Sequence, residues 1–195
     1  MLATGRISPA DHLGVEQAGI HTNSAGFVTV NDYMETNVPG VYEVGDVNGR
    51  YMFRHMANIE ATVTARNAFG GQRNGIDYTE ASLAVYSYPQ IAAVGLTADE
   101  ARKHHEILIG RARYMDTATG EAMMEVDGFA KAVVEKGTRR ILGFHVIGPH
   151  APSIVQEVTN AMTSGGHVAE TEKALHIHPA LPELVQAAFD NLVPE

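Results

Sequence analysis

A polar stretch near the middle of the chain constrains its fold more than any other feature of the sequence. Residues 71–80 read GQRNGIDYTE, and this glycine-containing composition is typical of a linker between domains. Residues 1–70 are punctuated by glycine, with strand patterns at 26–33 and 41–44 and a helical pattern at 55–69. The sequence therefore predicts a strand-rich first unit, a linker, and a separate second unit over 81–195.

The pattern of the second unit favours an α+β fold. Strands are predicted at 83–87, 91–96, 107–115, 129–136 and 140–148. Helices are predicted at 97–105, 152–164, 168–174 and 181–192, with a Thr97–Glu100 capping box opening the first of them. Residues 115–125 are expected to form a connection. Strands followed by helices indicate an antiparallel sheet flanked by helices.

The amino-acid composition excludes several classes of function for this chain. The 195 residues are 45% apolar, with 23 acidic and 14 basic side chains and a net charge of −9, which argues against nucleic-acid or membrane partners. No apolar run approaches a membrane span of about 20 residues. The N-terminal segment lacks the pattern of a signal peptide, so we expect a cytoplasmic protein. The sequence has no cysteine, which excludes a disulfide, a thiolate metal site and a cysteine nucleophile in this chain.

The segment 176–183, HIHPALPE, is the first candidate for chemistry. Pro179 restricts His178 to extended geometry, and the bond between them is a candidate cis peptide. Glu183 lies close enough to accept a hydrogen bond from the His178 ring, and a His–Glu pair is a general acid/base device. Two alternatives remain open at this point. His178 could simply pack the start of the last helix, or His176, His178 and Glu183 could bind a metal, although their spacing across two prolines is awkward for that.

The segment VYEVGDV, residues 41–47, is the second candidate. Gly45 ends a short strand and permits close approach of a ligand, and Asp46 offers carboxylate oxygens to sugar hydroxyls. A helix beginning near His55 would present its N-terminal amides to negative charge on a bound ring. The alternative is a plain strand followed by an aspartate-containing turn.

Six segments together resemble, in order, the C-terminal part of the class I flavin-dependent pyridine nucleotide–disulfide oxidoreductases. They lie at 3–6, 36–47, 55–61, 88–95, 140–148 and 178–183, and the last matches the His-Pro-x-x-x-Glu signature of that family. Within the family, the sequence is most similar to the dihydrolipoamide dehydrogenases and the mycothione reductase branch. It departs at Arg6-Ile7-Ser8-Pro9-Ala10, where many members have Arg-x-Pro-Asn.

The resemblance implies a role for each segment. Residues 1–70 would be the C-terminal segment of an FAD-binding domain, and 81–195 the dimerisation (interface) domain. Asp46 would bind the ribityl chain of FAD, with Gly45 allowing the approach. The residues against the flavin would be Met52, Phe53, Arg54 and His55. His178 would be the acid/base of dithiol–disulfide exchange, oriented by Glu183, and would act across the two-fold axis of a homodimer.

The resemblance also shows what this sequence lacks. The redox-active Cys-x-x-x-x-Cys pair and the G-x-G-x-x-G nucleotide fingerprint are absent from the 195 residues. We therefore expect part of an oxidoreductase that acts on a sulfur group, serves cell redox homeostasis and is inactive alone. FAD and a small dithiol or disulfide such as lipoamide would be its ligands, with NAD(P) bound by a domain that this chain lacks. The alternatives are part of a mycothione or related low-molecular-weight disulfide reductase, or a stand-alone dimerisation module.

Overall fold

The chain divides into two compact units in the computed structural model, which describes residues 2–71 and 73–195. The units are Met1–Tyr78 and Thr79–Glu195. Their boundary falls inside the segment whose composition predicts a linker. Within that segment, Gln72 lies outside the described residues, as does Met1 in the first unit.

A six-stranded antiparallel sheet forms the centre of the second unit. Its strands are β1 (Ser82–Val85), β2 (Ile91–Gly95), β3 (Ile107–Arg113), β4 (Phe129–Glu135), β5 (Ile141–Ile147) and β6 (Val193–Pro194). The spatial order is β1-β2-β5-β4-β3-β6, with every neighbouring pair antiparallel. The α+β class with an antiparallel sheet, expected from the sequence, is confirmed.

Helices cover both faces of this sheet because strand side chains alternate in direction. One face packs against α4 (Ala151–Ser164) and α6 (Glu183–Asp190), where Phe144 and Phe189 are buried with ring centroids 5.8 Å apart. The opposite face carries a smaller cluster beneath α2 (Ala98–Ala101), which includes Ile109 and Val133. The larger core therefore lies under α6, the helix that begins at Glu183.

Several elements of the second unit differ from the sequence prediction, among them β6, which was not predicted, and α6, which is shorter than 181–192. The helix α2 covers four residues instead of 97–105, although its capping box is present as predicted. Residues 115–125 contain a short helix, α3 (Ala118–Ala122), because the Thr117 hydroxyl caps it by accepting a hydrogen bond from the Gly120 amide. The helix α5 (Ala169–Glu172) is shorter than predicted.

The first unit contains one long helix, α1 (Arg54–Phe69), and two short 3-10 helices, Ala10–Leu13 and Asp46–Asn48. The strands predicted at 26–33 and 41–44 are reduced to isolated bridges, Thr22↔Val28 and Glu35↔Tyr42. A strand needs repeated backbone pairing with one neighbour, whereas the backbone hydrogen bonds of 26–33 go to several separate stretches, with Val28 bonded to Val47 and Thr29 to His21. The strand-rich character expected for residues 1–70 is therefore not observed in the described part of this unit.

No helix in the described residues combines the length and the apolar character needed to cross a membrane.

Candidate active site

His178 and Glu183 form a hydrogen-bonded pair at the start of α6. The ring nitrogen Nδ1 of His178 lies 2.8 Å from Oε1 of Glu183. The other carboxylate oxygen, Oε2, accepts a hydrogen bond from the Ala180 amide at 2.8 Å. The peptide bond between His178 and Pro179 is cis, and the sequence had marked this bond as a candidate for that isomer. The short segment between the two side chains thus directs the imidazole onto the carboxylate, as the spacing allows.

The electrostatics of this pair favour a fixed carboxylate beside an accessible imidazole. The Ala180 amide, and then the His178 ring, lower the pKa of Glu183 below its ordinary value. The His178 side chain is 71% exposed, whereas that of Glu183 is 22% exposed. A carboxylate on Nδ1 favours a proton on that nitrogen and leaves Nε2 to exchange a proton with an external group. This exposure argues against the alternative that His178 merely packs the start of the helix.

His176 is paired elsewhere. Its Nε2 lies 2.8 Å from Oε1 of Glu157 on α4, and its side chain is 6% exposed. The two imidazoles of the His-x-His sequence are therefore bound to different carboxylates and do not converge. In the described part of the chain, no group of three or more His, Asp or Glu side chains is placed to hold a metal ion.

In the first unit, Gly45 precedes the second 3-10 helix, and Asp46 is the first residue of that helix. Gly45 has a φ of +85°, which favours glycine, and its amide donates a 2.6 Å hydrogen bond to Oε2 of Glu60. The Asp46 side chain is 58% exposed, and its Oδ2 accepts a hydrogen bond from Arg6 at 3.1 Å. The same Arg6 nitrogen donates to the Met52 carbonyl at 2.6 Å. Arg6 thus brings together two of the residues singled out in the sequence, Asp46 and Met52.

The remaining candidates lie where α1 begins. Phe53 is the N-cap residue of this helix, and no side chain caps the helix there. The rings of Phe53 and His55 stack with centroids 5.5 Å apart. The first turn, which starts at Arg54, contains no acidic residue. This helix end therefore presents backbone amides and positive dipole character without a competing carboxylate, a setting suited to an electron-rich ring.

Two further residues organise this part of the chain and were not among the residues predicted to bind a ligand. Arg6 is one of them. Glu60 is the other, a fully buried side chain of α1 that also accepts hydrogen bonds from Asn48 Nδ2 at 3.1 Å and from the Tyr78 hydroxyl at 2.9 Å. Burial, and then the neighbouring Glu60, raise the pKa of Tyr78 to about 12. A glutamate inside a helical pattern normally faces solvent, so the sequence carried no signal for its burial.

Two family models match the chain. Residues 81–189 match the model described as the dimerisation domain of pyridine nucleotide-disulphide oxidoreductase, and residues 1–66 match that described as pyridine nucleotide-disulphide oxidoreductase. Among curated relatives, mycothione reductase of Mycobacterium tuberculosis is 40% identical over 98% of this chain and 43% of its own length. Dihydrolipoyl dehydrogenase of Thermus scotoductus is 35% identical over 98% of this chain and 41% of its own length. The chain thus spans about two fifths of the length of these relatives.

Solved structures share the fold. The crystal structure of LpdA from Mycobacterium tuberculosis matches with a TM-score of 0.88 and 22% identity, over 95% of this chain and 41% of its own. The HOCl-induced flavoprotein disulfide reductase RclA from Escherichia coli matches with a TM-score of 0.87 and 23% identity, over 96% of this chain and 44% of its own.

Proposed function

Because the chain belongs to the pyridine nucleotide–disulphide oxidoreductase family, we propose that it supplies the homodimer interface and the acid/base pair of such an enzyme. In this proposal residues 1–70 complete an FAD-binding domain, 71–80 link it onward, and 81–195 form the dimerisation domain. The observation that carries the proposal is the exposed His178 held by Glu183, because a device for proton transfer needs an oriented but accessible imidazole.

The family uses FAD and NAD(P), and residues of the first unit fit a flavin. Asp46 presents an exposed carboxylate suited to the ribityl hydroxyls. Gly45 adopts a φ of +85°, which favours glycine, at the turn that presents Asp46. Met52, Phe53, Arg54 and His55 would hold the ring beside the uncapped start of α1. FAD, when bound, would supply electron transfer between NAD(P)H and a disulfide.

The residues of this chain would transfer the proton that dithiol–disulfide exchange requires. In the reducing direction, the proton on Nε2 of His178 passes to the thiolate that leaves the substrate disulfide. In the reverse direction, Nε2 accepts a proton from a dithiol. Glu183 keeps Nδ1 protonated and stabilises the imidazolium that forms. Since no cysteine is present in the 195 residues, the chain alone has no thiol for the exchange, and we propose that it is inactive by itself.

The thiol substrate class has two candidates. Lipoamide, acting as a small dithiol, is the primary proposal, following the resemblance to dihydrolipoamide dehydrogenases. Mycothione or a related low-molecular-weight disulfide is the second, favoured by the 40% identity to mycothione reductase against 35% to dihydrolipoyl dehydrogenase of Thermus scotoductus. A stand-alone dimerisation module would not need the His178–Glu183 pair. For all of these, we propose a cytoplasmic location.

The test is a chimera in which this chain replaces the corresponding part of mycothione reductase. His178→Gln should lower kcat with lipoamide or mycothione by roughly 10²- to 10⁴-fold, the usual contribution of general acid/base catalysis, while the protein keeps its flavin absorbance. Asp46→Ala should instead release flavin. The matched control is the exposed His104→Gln, which should leave turnover unchanged. Normal turnover in the His178 variant would refute the proposal.

A further inference from the structure

The segment that carries His178 has little backbone support of its own. It lies between the end of α5 at Glu172 and the start of α6 at Glu183. Within the described residues, 175–179 make no backbone-to-backbone hydrogen bond. Leu175 is 98% exposed and Ile177 is 75% exposed. Side-chain contacts must therefore determine where the imidazole of His178 points.

One side chain in this segment turns inward. Between residues 172 and 179, His176 alone is not exposed. Its Nε2 lies 2.8 Å from Oε1 of Glu157. Glu157 is held on α4 beside Val158, which is fully buried against the sheet. The contact consequently joins an irregular segment to a rigid helix.

The unpaired nitrogen of His176 indicates its tautomer. Nδ1 is buried and has no hydrogen-bond partner among the residues that the structure describes. A buried lone pair without a donor is tolerated more readily than a buried N–H without an acceptor. The proton therefore belongs on Nε2, where it is donated to the Glu157 carboxylate. His176 serves here as a donor in a structural contact and not as a second acid/base.

We infer that Glu157, acting through the buried His176, is a positioning residue for the His178 imidazole. This inference rests on the proposed acid/base role of His178. The segment is held on one side by His176 on Glu157 and on the other by His178 on Glu183, with only Ile177 between the two imidazoles. Within the described residues of one copy of the chain, loss of the first contact leaves Glu183 as the only hydrogen-bonded side chain that holds the His178 ring.

The inference is tested first on this chain without any enzymatic assay. In the unaltered chain, the ¹⁵N order parameters of the Leu175 and Ile177 amides should match those of α6. The long-range ¹H–¹⁵N spectrum should show a single His178 tautomer, protonated on Nδ1. Glu157→Leu should lower the order parameters and mix the tautomers, while Glu157→Gln, which retains an acceptor oxygen, should preserve both. Low order parameters in the unaltered chain would overturn the inference.

A matched control separates positioning from general stability. Glu172→Leu also removes a glutamate ion pair beside this segment, the one with Arg139 at 3.0 Å, and should leave the His178 signals unchanged. If Glu157→Leu does not fold, His176→Asn, whose side chain is too short to reach Glu157, provides the same measurement. An unchanged His178 tautomer in a folded variant would mean that the contact is only structural.

The second test uses the chimeric enzyme. Glu157→Leu should lower kcat by roughly 10- to 100-fold with little change in KM, because a misplaced catalytic group costs rate more than binding. Glu157→Gln should retain most of the kcat of the unaltered chimera. If His178→Gln abolishes turnover and Glu157→Leu does not affect it, the positioning role fails and the proposed function stands. If His178→Gln has no effect, the proposed function itself fails.

Discussion

Glu43 places its carboxyl group in an unfavourable environment in the first unit. Both of its carboxyl oxygens are buried and have no hydrogen-bond partner within residues 2–71 and 73–78. Burial, and then the nearby Glu60, raise the pKa of Glu43 to about 8. The folded state therefore retains a proton that the unfolded chain releases near the ordinary pKa of 4.5. Between these two values the unfolded state binds fewer protons, so stability falls as the pH rises.

We predict that Glu43→Gln flattens this pH dependence. Relative to the parent chain, the free energy of unfolding of the variant should rise by on the order of 1 kcal/mol between pH 5 and pH 8, a value reduced because Glu43 as a whole residue is only half-buried. Urea denaturation at the two pH values measures the difference in the free energy of unfolding. Glu16→Gln, at an exposed position, is the control and should show no such gain. A parent chain that is equally stable at both pH values would contradict the prediction.

At the scale of single residues, sequence distance decided what could be predicted. Glu183 lies five positions from His178, so their hydrogen bond followed from local geometry and is present in the structure. Glu157 lies nineteen positions from His176, and only the packing of α4 brings the two together. The burial of Glu60 likewise depends on contacts with Tyr78, eighteen positions away. Such contacts are set by tertiary packing, which no local pattern encodes.

At the scale of elements, β3 and α6 approach each other unusually closely. A Cβ built at Gly110 on β3 would lie 1.8 Å from the carbonyl oxygen of Ala188 on α6. Only glycine permits this approach, because any side chain there would force the helix away from the strand. Since α6 begins at Glu183, the same contact also sets the height of the candidate site above the sheet.

Gly110→Ala should therefore destabilise the second unit by about 1–3 kcal/mol, the usual cost of overpacking, or more if the helix cannot shift. The matched control is Gly137→Ala in the β4–β5 turn, where an added Cβ meets nothing within 4 Å. That change should stay within about 0.5 kcal/mol. Chemical denaturation followed by circular dichroism gives both values. Equal stabilities of the two variants would show that the close approach is not maintained in solution.

The elements themselves were predictable to different degrees. The helices predicted at 152–164 and 181–192 and the strands predicted at 129–136 and 140–148 are present as α4, α6, β4 and β5. The short helix α3 was missed because its cap, Thr117, is an isolated signal in an irregular stretch. The strands expected near Val28 and Tyr42 were wrong as strands, since periodicity shows that a segment is extended but not that a partner runs beside it.

At the scale of the whole molecule, the second unit leaves large apolar side chains in solvent. Leu175 is 98% exposed, Tyr88 101% and Met124 80%. Tyr88 and Met124 line the same surface cavity, and exposed apolar clusters mark interaction surfaces more often than free surface. Under the proposed function, a second copy of this chain covers part of them, and the segment carrying His178 lies at that contact.

Light scattering on the purified chain should accordingly give a molar mass of about 42 kDa, twice the 21.0 kDa of one copy. Leu175→Glu should shift this mass towards that of the monomer, because a charge placed in an apolar contact must be desolvated. Leu13→Glu, a similar change at a 66% exposed leucine of the first unit, is the control and should leave the dimer intact. A monomer at all concentrations in the unaltered chain would contradict the dimer proposal.

The hydrogen bonds of Glu60 also have a consequence for how this sequence changes over evolutionary time. Its carboxylate accepts hydrogen bonds from three donors, the Gly45 amide, the Asn48 side chain and the Tyr78 hydroxyl. A lineage that loses this acid removes the acceptor that three donors from separate stretches of the chain share. Asn48 and Tyr78 are therefore not free to drift independently of position 60, and substitutions at these positions should be inherited together.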